Sequence, residues 1–151
     1  MLKVCVLGLG YVGLPVALNI SRKFKTIGFD VSFKRIKELN KKIDSNKEFK
    51  KTDFTKKKIK FSNKKQDLAD SNIYIICVPT PIKKNNFPDL SCIKDSISFI
   101  SKYIKSGDII ILESTVYPGV TKKFTKLLEI KRGLKNNRDF YMCYSPERIN
   151  P

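Results

Sequence analysis

KVCVLGLGYVGLPVALNI, residues 3–20, followed by KTIGFDVS, residues 25–32, is the stretch that decides how the chain folds. Lys3 to Leu7 is a short, apolar, β-branched run, the pattern of a strand buried on both faces of a parallel sheet. Gly8, Gly10 and Gly13 then complete a G-x-G-x-x-G turn that includes Tyr11 and Val12. In such a turn the first glycine permits the bend, the second removes a Cβ that would strike a pyrophosphate, and the third lets the next helix pack close to its strand. That helix, expected over Tyr11 to Phe24, presents its N-terminal amides to phosphate oxygens. A second strand, Thr26 to Phe29, ends at Asp30, twenty residues beyond Gly10. A carboxylate there accepts both hydroxyls of an adenosine ribose and repels a 2′-phosphate, which favours NAD over NADP. Lys34 and Arg35 supply cations nearby, but on the next helix. The competing reading makes Asp30 a plain helix cap.

Outward from this unit, strand and helix patterns alternate. Ser32 to Ile43 carries Phe33, Ile36, Leu39 and Ile43 near helical spacing. Asp44 to Lys58 loses periodicity and reads as a charged, mobile connection to a short strand at Ile59 to Phe61. Lys64 to Ala69 suits one helical turn. The strand Ile73 to Val78 runs into Val78-Pro79-Thr80-Pro81, at the carboxyl end where ligands bind in open α/β sheets; a proline-stiffened turn is the plainer reading. An exposed loop, Lys83 to Pro88, precedes a helix capped by Asp89 or Ser91 and running to about Ile104. The strand Ile109 to Leu112 delivers Glu113-Ser114-Thr115 at its end, and a helix follows through Val120, Phe124 and Leu128. A last strand, Phe140 to Tyr144, leads to Ser145-Pro146-Glu147-Arg148. This order predicts an α/β, Rossmann-like, doubly wound parallel sheet in three αβα layers, with residues 1–151 as one domain.

Composition narrows the chemistry. The 151 residues hold no histidine, which excludes Ser-His-Asp and Cys-His nucleophilic machinery and any histidine metal site. Carboxylates are then the natural acid-base groups, and Glu113 and Glu147 both follow buried strands. Cys5, Cys77, Cys92 and Cys143 are widely spaced with no C-x-x-C, as expected of core thiols in a reducing compartment. Val4 to Ile20 is apolar, but its three glycines and Pro15 argue against a signal or membrane segment, so a cytoplasmic location is expected. The net charge of +17 is concentrated. Residues 34–65 hold 14 Lys or Arg against 4 Asp or Glu. A solvated lysine face explains this better than a specific nucleic-acid site, since no aromatic-glycine motif for stacking bases is present.

Five stretches in order, GLGYVGLPVA, GFDVSFKRI, VPTPI, ESTVYPGVT and YSPERINP, make the chain resemble the nucleotide-sugar 6-dehydrogenases, the UDP-glucose and GDP-mannose dehydrogenase family. The last two look most like the branch acting on UDP-N-acetylhexosamines for surface polysaccharides of the O-antigen or Vi type. The resemblance implies an NAD-dependent oxidation of a primary alcohol to a carboxylate by two hydride transfers, with a cysteine thiolate trapping the aldehyde and the thioester then hydrolysed. It implies that Gly8, Gly10, Tyr11, Val12 and Gly13 cradle pyrophosphate, and that Asp30 and Arg35 hold the adenosine ribose. Val78, Pro79, Thr80, Pro81, Ser114 and Thr115 line the cofactor site. Thr115 is further expected to position the reacting alcohol or water, Glu147 to assist hydrolysis, and Arg148 to lie near the sugar nucleotide. The family's nucleophilic cysteine and catalytic lysine have no counterpart among these residues, so a fragment without turnover is expected. Its UDP-sugar site and homodimer contact are expected only with the missing regions. Two other readings stay open: a stand-alone nucleotide-binding or regulatory module, and a basic nucleic-acid-binding protein.

Overall fold

The computed structural model describes residues 2–55, 57–84 and 86–146. Six strands, β1 (Lys3–Leu7), β2 (Lys25–Phe29), β3 (Ile59–Ser62), β4 (Ile73–Ile76), β5 (Ile109–Leu112) and β6 (Tyr141–Tyr144), form one sheet in the order β3-β2-β1-β4-β5-β6. Every neighbouring pair is parallel. Four helices make the crossovers: α1 (Gly13–Ile20), α2 (Phe33–Asn40), α3 (Ser91–Ile100) and α4 (Val120–Arg132). This is the doubly wound order, in which the chain moves outward from β1 to β3 and then returns to lay β4 on the other side of β1. The predicted fold class is the observed one.

Alternation along the strands builds the three layers. Cys5 and Leu7, with Tyr74, Ile76, Ile110 and Leu112, pack against Ile93, Ile97 and Ile100 of α3 and Phe124 and Leu128 of α4. Val4 and Val6, with Ile75 and Cys77, pack against Leu14, Ala17 and Leu18 of α1 and Ile36 and Leu39 of α2. Each fully buried aliphatic side chain contributes roughly 1.5–3 kcal/mol relative to exposure. Truncating one, such as Ile97, adds the cost of a cavity.

Several elements are shorter than their sequence patterns, for local reasons. Tyr11 and Val12 belong to the glycine turn, and α1 ends where Lys23 and Phe24 N–H groups both turn back on the Ile20 carbonyl. The helix α2 stops before Lys42, whose φ of 59° is left-handed. The strand β4 ends at Ile76, because the Val78 carbonyl is taken by the hydroxyl of Ser114 at 2.7 Å.

The connection after α2 is more ordered than its composition suggests. The carboxylate of Asp44, fully buried, accepts the N–H groups of Asn46, Glu48 and Phe49 and an ion pair from Arg35 at 2.8 Å. Phe54 is buried against Phe61 with ring centroids 6.2 Å apart. Lys47, Lys50, Lys51 and Lys58 of this segment are exposed, as is Lys60 on the outer edge strand β3, where charge discourages pairing with another sheet. Among the described residues no helix is long and apolar enough to cross a membrane.

Candidate functional site

A cavity of about 600 Å³ opens at the carboxyl ends of the strands, where β1 and β4 lie side by side. This is the point where the winding direction reverses, and the loops after β1 and β4 part to leave a crevice there. Its floor is the turn after β1. Gly8 has φ +88°, and a Cβ on it would meet the Cys77 carbonyl oxygen at 2.7 Å. A Cβ on Gly13 would stand 1.8 Å from the Gly8 carbonyl oxygen. Both glycines are thus demanded by the protein's own packing. Gly10 differs: a Cβ there would have nothing within 4 Å, and the residue lines the cavity. The missing Cβ at that position keeps the cavity open for close approach to the backbone. Beyond it, α1 starts after Val12 without a side-chain cap. The Leu14 N–H is taken by the Gly10 carbonyl at 3.2 Å and residue 15 is a proline, so the N–H groups of Val12 and Gly13 are the ones left to face an anion.

The β2 side is organised by Asp30. One carboxylate oxygen accepts the Leu9 N–H at 2.9 Å and the other accepts the Ser32 N–H at 2.9 Å. The cap of α2 is not Asp30 but Ser32, whose hydroxyl accepts the Arg35 N–H at 3.2 Å. Asp30 is half-buried and on the cavity wall. Arg35 is not on that wall. Its Nε donates to the Leu9 carbonyl at 2.9 Å and its Nη1 pairs with Asp44, so its guanidinium ties the glycine turn to the connection behind α2.

The other side is built by the loops after β4 and β5. Val78, Pro79, Thr80, Ser114 and Thr115 all line the cavity. The Thr80 hydroxyl donates to the Thr115 carbonyl at 2.9 Å, and Ser114 to the Val78 carbonyl, so the two strand ends are cross-tied. Pro81 turns away, and its carbonyl accepts the Asp89 N–H at 2.7 Å. Glu113 also lines the cavity and accepts the hydroxyl of Ser145 at 3.0 Å. Glu147 and Arg148 lie outside the described residues.

Sequence reasoning missed one wall altogether. Cys92, Asp95, Ser96 and Phe99 face the cavity from α3. Phe99 meets Phe29 edge-on with ring centroids 6.3 Å apart, and the Lys65 ammonium lies over the Phe99 ring 4.0 Å from its centroid, which holds α3 against the β2 end. The helical i, i+3, i+4, i+7 spacing of these four residues was the available signal. Among the described residues the cavity wall carries three carboxyl side chains, Asp30, Asp95 and Glu113, and no lysine or arginine, in a chain with 31 Lys and Arg against 14 Asp and Glu.

Known proteins resemble the chain over nearly its whole length. The sequence model of the UDP-glucose/GDP-mannose dehydrogenase family, NAD binding domain, matches residues 2–151. The chain is 45% identical to a UDP-N-acetyl-D-glucosamine 6-dehydrogenase of Pseudomonas aeruginosa, over 99% of this chain and 36% of that protein. A solved UDP-D-ManNAc dehydrogenase from Pyrococcus horikoshii superposes with a TM-score of 0.91 at 34% identity, over 99% of this chain and 37% of that one. A GDP-mannose dehydrogenase of Pseudomonas aeruginosa, solved as a ternary complex, superposes with a TM-score of 0.89 at 29% identity, over 97% of this chain and 36% of that one. The chain thus spans little more than a third of the length of these relatives.

Proposed function

The chain belongs to the UDP-glucose/GDP-mannose dehydrogenase family, in its NAD-binding domain, and from that premise we propose that it forms the cofactor half of an NAD-dependent UDP-N-acetylhexosamine 6-dehydrogenase. One observation carries the reading. A glycine with open space above it, an uncapped helix start and a pinned strand-end carboxylate converge on one cavity at the switch point of the sheet.

On this proposal Gly8, Gly10 and Gly13 let the backbone approach the pyrophosphate, and the amides of Tyr11 and Val12 face it. Asp30 keeps acceptor capacity for the adenosine ribose, because a carboxylate has about four lone-pair sites and two are engaged. Arg35 acts through Leu9 and Asp44, by fixing the turn. Val78, Pro79, Thr80, Ser114 and Thr115 would bound the second half of the dinucleotide, with Thr115 assigned to position the reacting alcohol or water, and Pro81 shapes the loop behind them. Bound NAD supplies the hydride acceptor for oxidation of the sugar's primary alcohol to a carboxylate. Glu147 and Arg148 are assigned to hydrolysis and to sugar-nucleotide contact from their sequence setting alone. The UDP-sugar site, the nucleophilic thiol and a homodimer contact belong to the part of the relatives that this chain does not span.

The test is equilibrium binding followed by an assay. The purified chain should bind NAD saturably and form no NADH when a UDP-N-acetylhexosamine is added. A folded chain that fails to bind NAD contradicts the reading, and NADH formation by the chain alone contradicts the placement of the thiol elsewhere.

A further inference from the structure

We infer that Glu113 sets the redox preference of the cofactor site, holding the oxidised, cationic nicotinamide more tightly than the reduced, neutral one. The inference rests on the proposed cofactor role and deepens it. With pyrophosphate at the turn after β1 and the adenosine ribose at Asp30 on the β2 side, an extended dinucleotide has only one direction left. Its other half crosses the switch point and lies over the ends of β4 and β5. The wall there is Val78, Pro79, Thr80, Glu113, Ser114 and Thr115. Among the described residues, Glu113 is the carboxylate that the strand ends themselves contribute to that wall, Asp95 faces the same cavity from α3, and no lysine or arginine stands on the wall to neutralise either.

Glu113 is also held in place. It is half-buried at the carboxyl end of β5, and its own N–H donates to the Ile76 carbonyl at 2.9 Å, which fixes the backbone beside β4. Its Oε1 accepts the Ser145 hydroxyl at 3.0 Å, and the Ser145 N–H in turn donates to the Leu112 carbonyl at 3.0 Å. A neutral hydroxyl orients the carboxylate without cancelling its charge. At the lower dielectric of a crevice wall, a fixed negative charge acts on a nearby cation far more strongly than in water. Oxidised nicotinamide carries that cation and the reduced ring does not. In a reaction that uses two cofactors in succession, such a preference favours release of NADH and entry of NAD+ between the hydride transfers.

The protein's overall charge makes the test sharp. NADH carries one more negative charge than NAD+, so the net +17 of the chain taken as a whole favours NADH. The local carboxylate favours NAD+. Dissociation constants for NAD+, NADH and ADP-ribose are measured on the full chain, for the wild type, Glu113→Gln and Ser145→Ala, at about 0.15 M salt to damp the global field. The wild type is expected to bind NAD+ more tightly than NADH. Glu113→Gln, which keeps an acceptor for Ser145 but loses the charge, should lower the NAD+-to-NADH affinity ratio by roughly tenfold with ADP-ribose unaffected. Ser145→Ala should lower it by less, since the charge remains but is no longer held. A wild type that binds NADH at least as tightly as NAD+ overturns the inference whatever the variants do, and so does an unchanged ratio in Glu113→Gln. If neither ADP-ribose nor NAD+ binds to the folded wild type, the cofactor reading itself fails and this inference with it.

Discussion

The backbone N–H of Leu9 donates to Oδ2 of Asp30 at 2.9 Å, joining the phosphate turn to the end of the neighbouring strand across 21 residues of sequence. The same carboxylate is therefore a fold contact and a candidate ribose acceptor. Asp30→Ala removes a charge-assisted bond and should cost about 1.5–3 kcal/mol of stability while weakening NAD binding. Urea unfolding and NAD titration on the same sample check this. Weaker binding with unchanged stability would show that the Leu9 bond contributes nothing to the fold.

The glycine turn separates steric need from ligand need. Gly13→Ala places a Cβ 1.8 Å from the Gly8 carbonyl oxygen, and should unfold the turn or cost about 3 kcal/mol or more. Gly10→Ala meets no protein atom within 4 Å, so its melting temperature should stay near the wild type's while NAD affinity falls at least about tenfold. Equal loss of stability in both variants would contradict the distinction.

The ion pair of Arg35 with Asp44 is buried, with side-chain exposures of 11% and 0%. Breaking it from one side leaves a carboxylate uncompensated, and Arg35→Met should cost about 3–5 kcal/mol. Arg35→Met combined with Asp44→Asn should recover part of that loss. A double-mutant cycle measured by denaturant unfolding gives the coupling, and simple additivity would refute it.

Asp67 should contribute to acid sensitivity, alongside Asp89 and Asp139, whose hydrogen bonds lower the pKa of their carboxyls in the same direction. Hydrogen bonds from Lys60 and Ser62 hold the Asp67 carboxyl below the ordinary range. A depressed folded value means that the stabilisation is complete above the unfolded pKa, near pH 4, and is lost as pH falls through the folded one. Burial moves Asp108 the other way, so its contribution declines as pH rises from the unfolded to the folded pKa. Thermal melts from pH 6 downward should show the wild type losing stability below about pH 4 and Asp67→Asn losing less. Parallel curves would rule out Asp67 as a contributor.

The sequence carried the parts of this molecule that local chemistry dictates. Gly8, Gly10, Gly13 and Asp30 announced themselves because a turn, a close approach and a strand-end carboxylate each restrict the residue type at one position. The doubly wound fold class followed from alternating strand and helix periodicities, while the strand order is seen only in the folded chain. What stayed hidden depends on partners far along the chain. Cys92, Asp95, Ser96 and Phe99 form a cavity wall only because the β4-to-β5 crossover lays α3 beside Phe29. Asp44 read as one charge in a polar run, yet it is the buried hub of its segment, since Arg35 and three backbone amides find it only in the folded state. The family resemblance makes Arg35 a ribose ligand, while its guanidinium is engaged by Leu9 and Asp44.

The most direct test of the cofactor assignment is a calorimetric titration of NAD and, in parallel, NADP into the folded chain at about 0.15 M salt, where nonspecific charge effects are damped. Saturable NAD binding is predicted, with NADP weaker because Asp30 repels a 2′-phosphate despite the net positive charge, and with Asp30→Ala narrowing the difference. NADP binding as tightly as NAD, or no heat from either, would contradict the account.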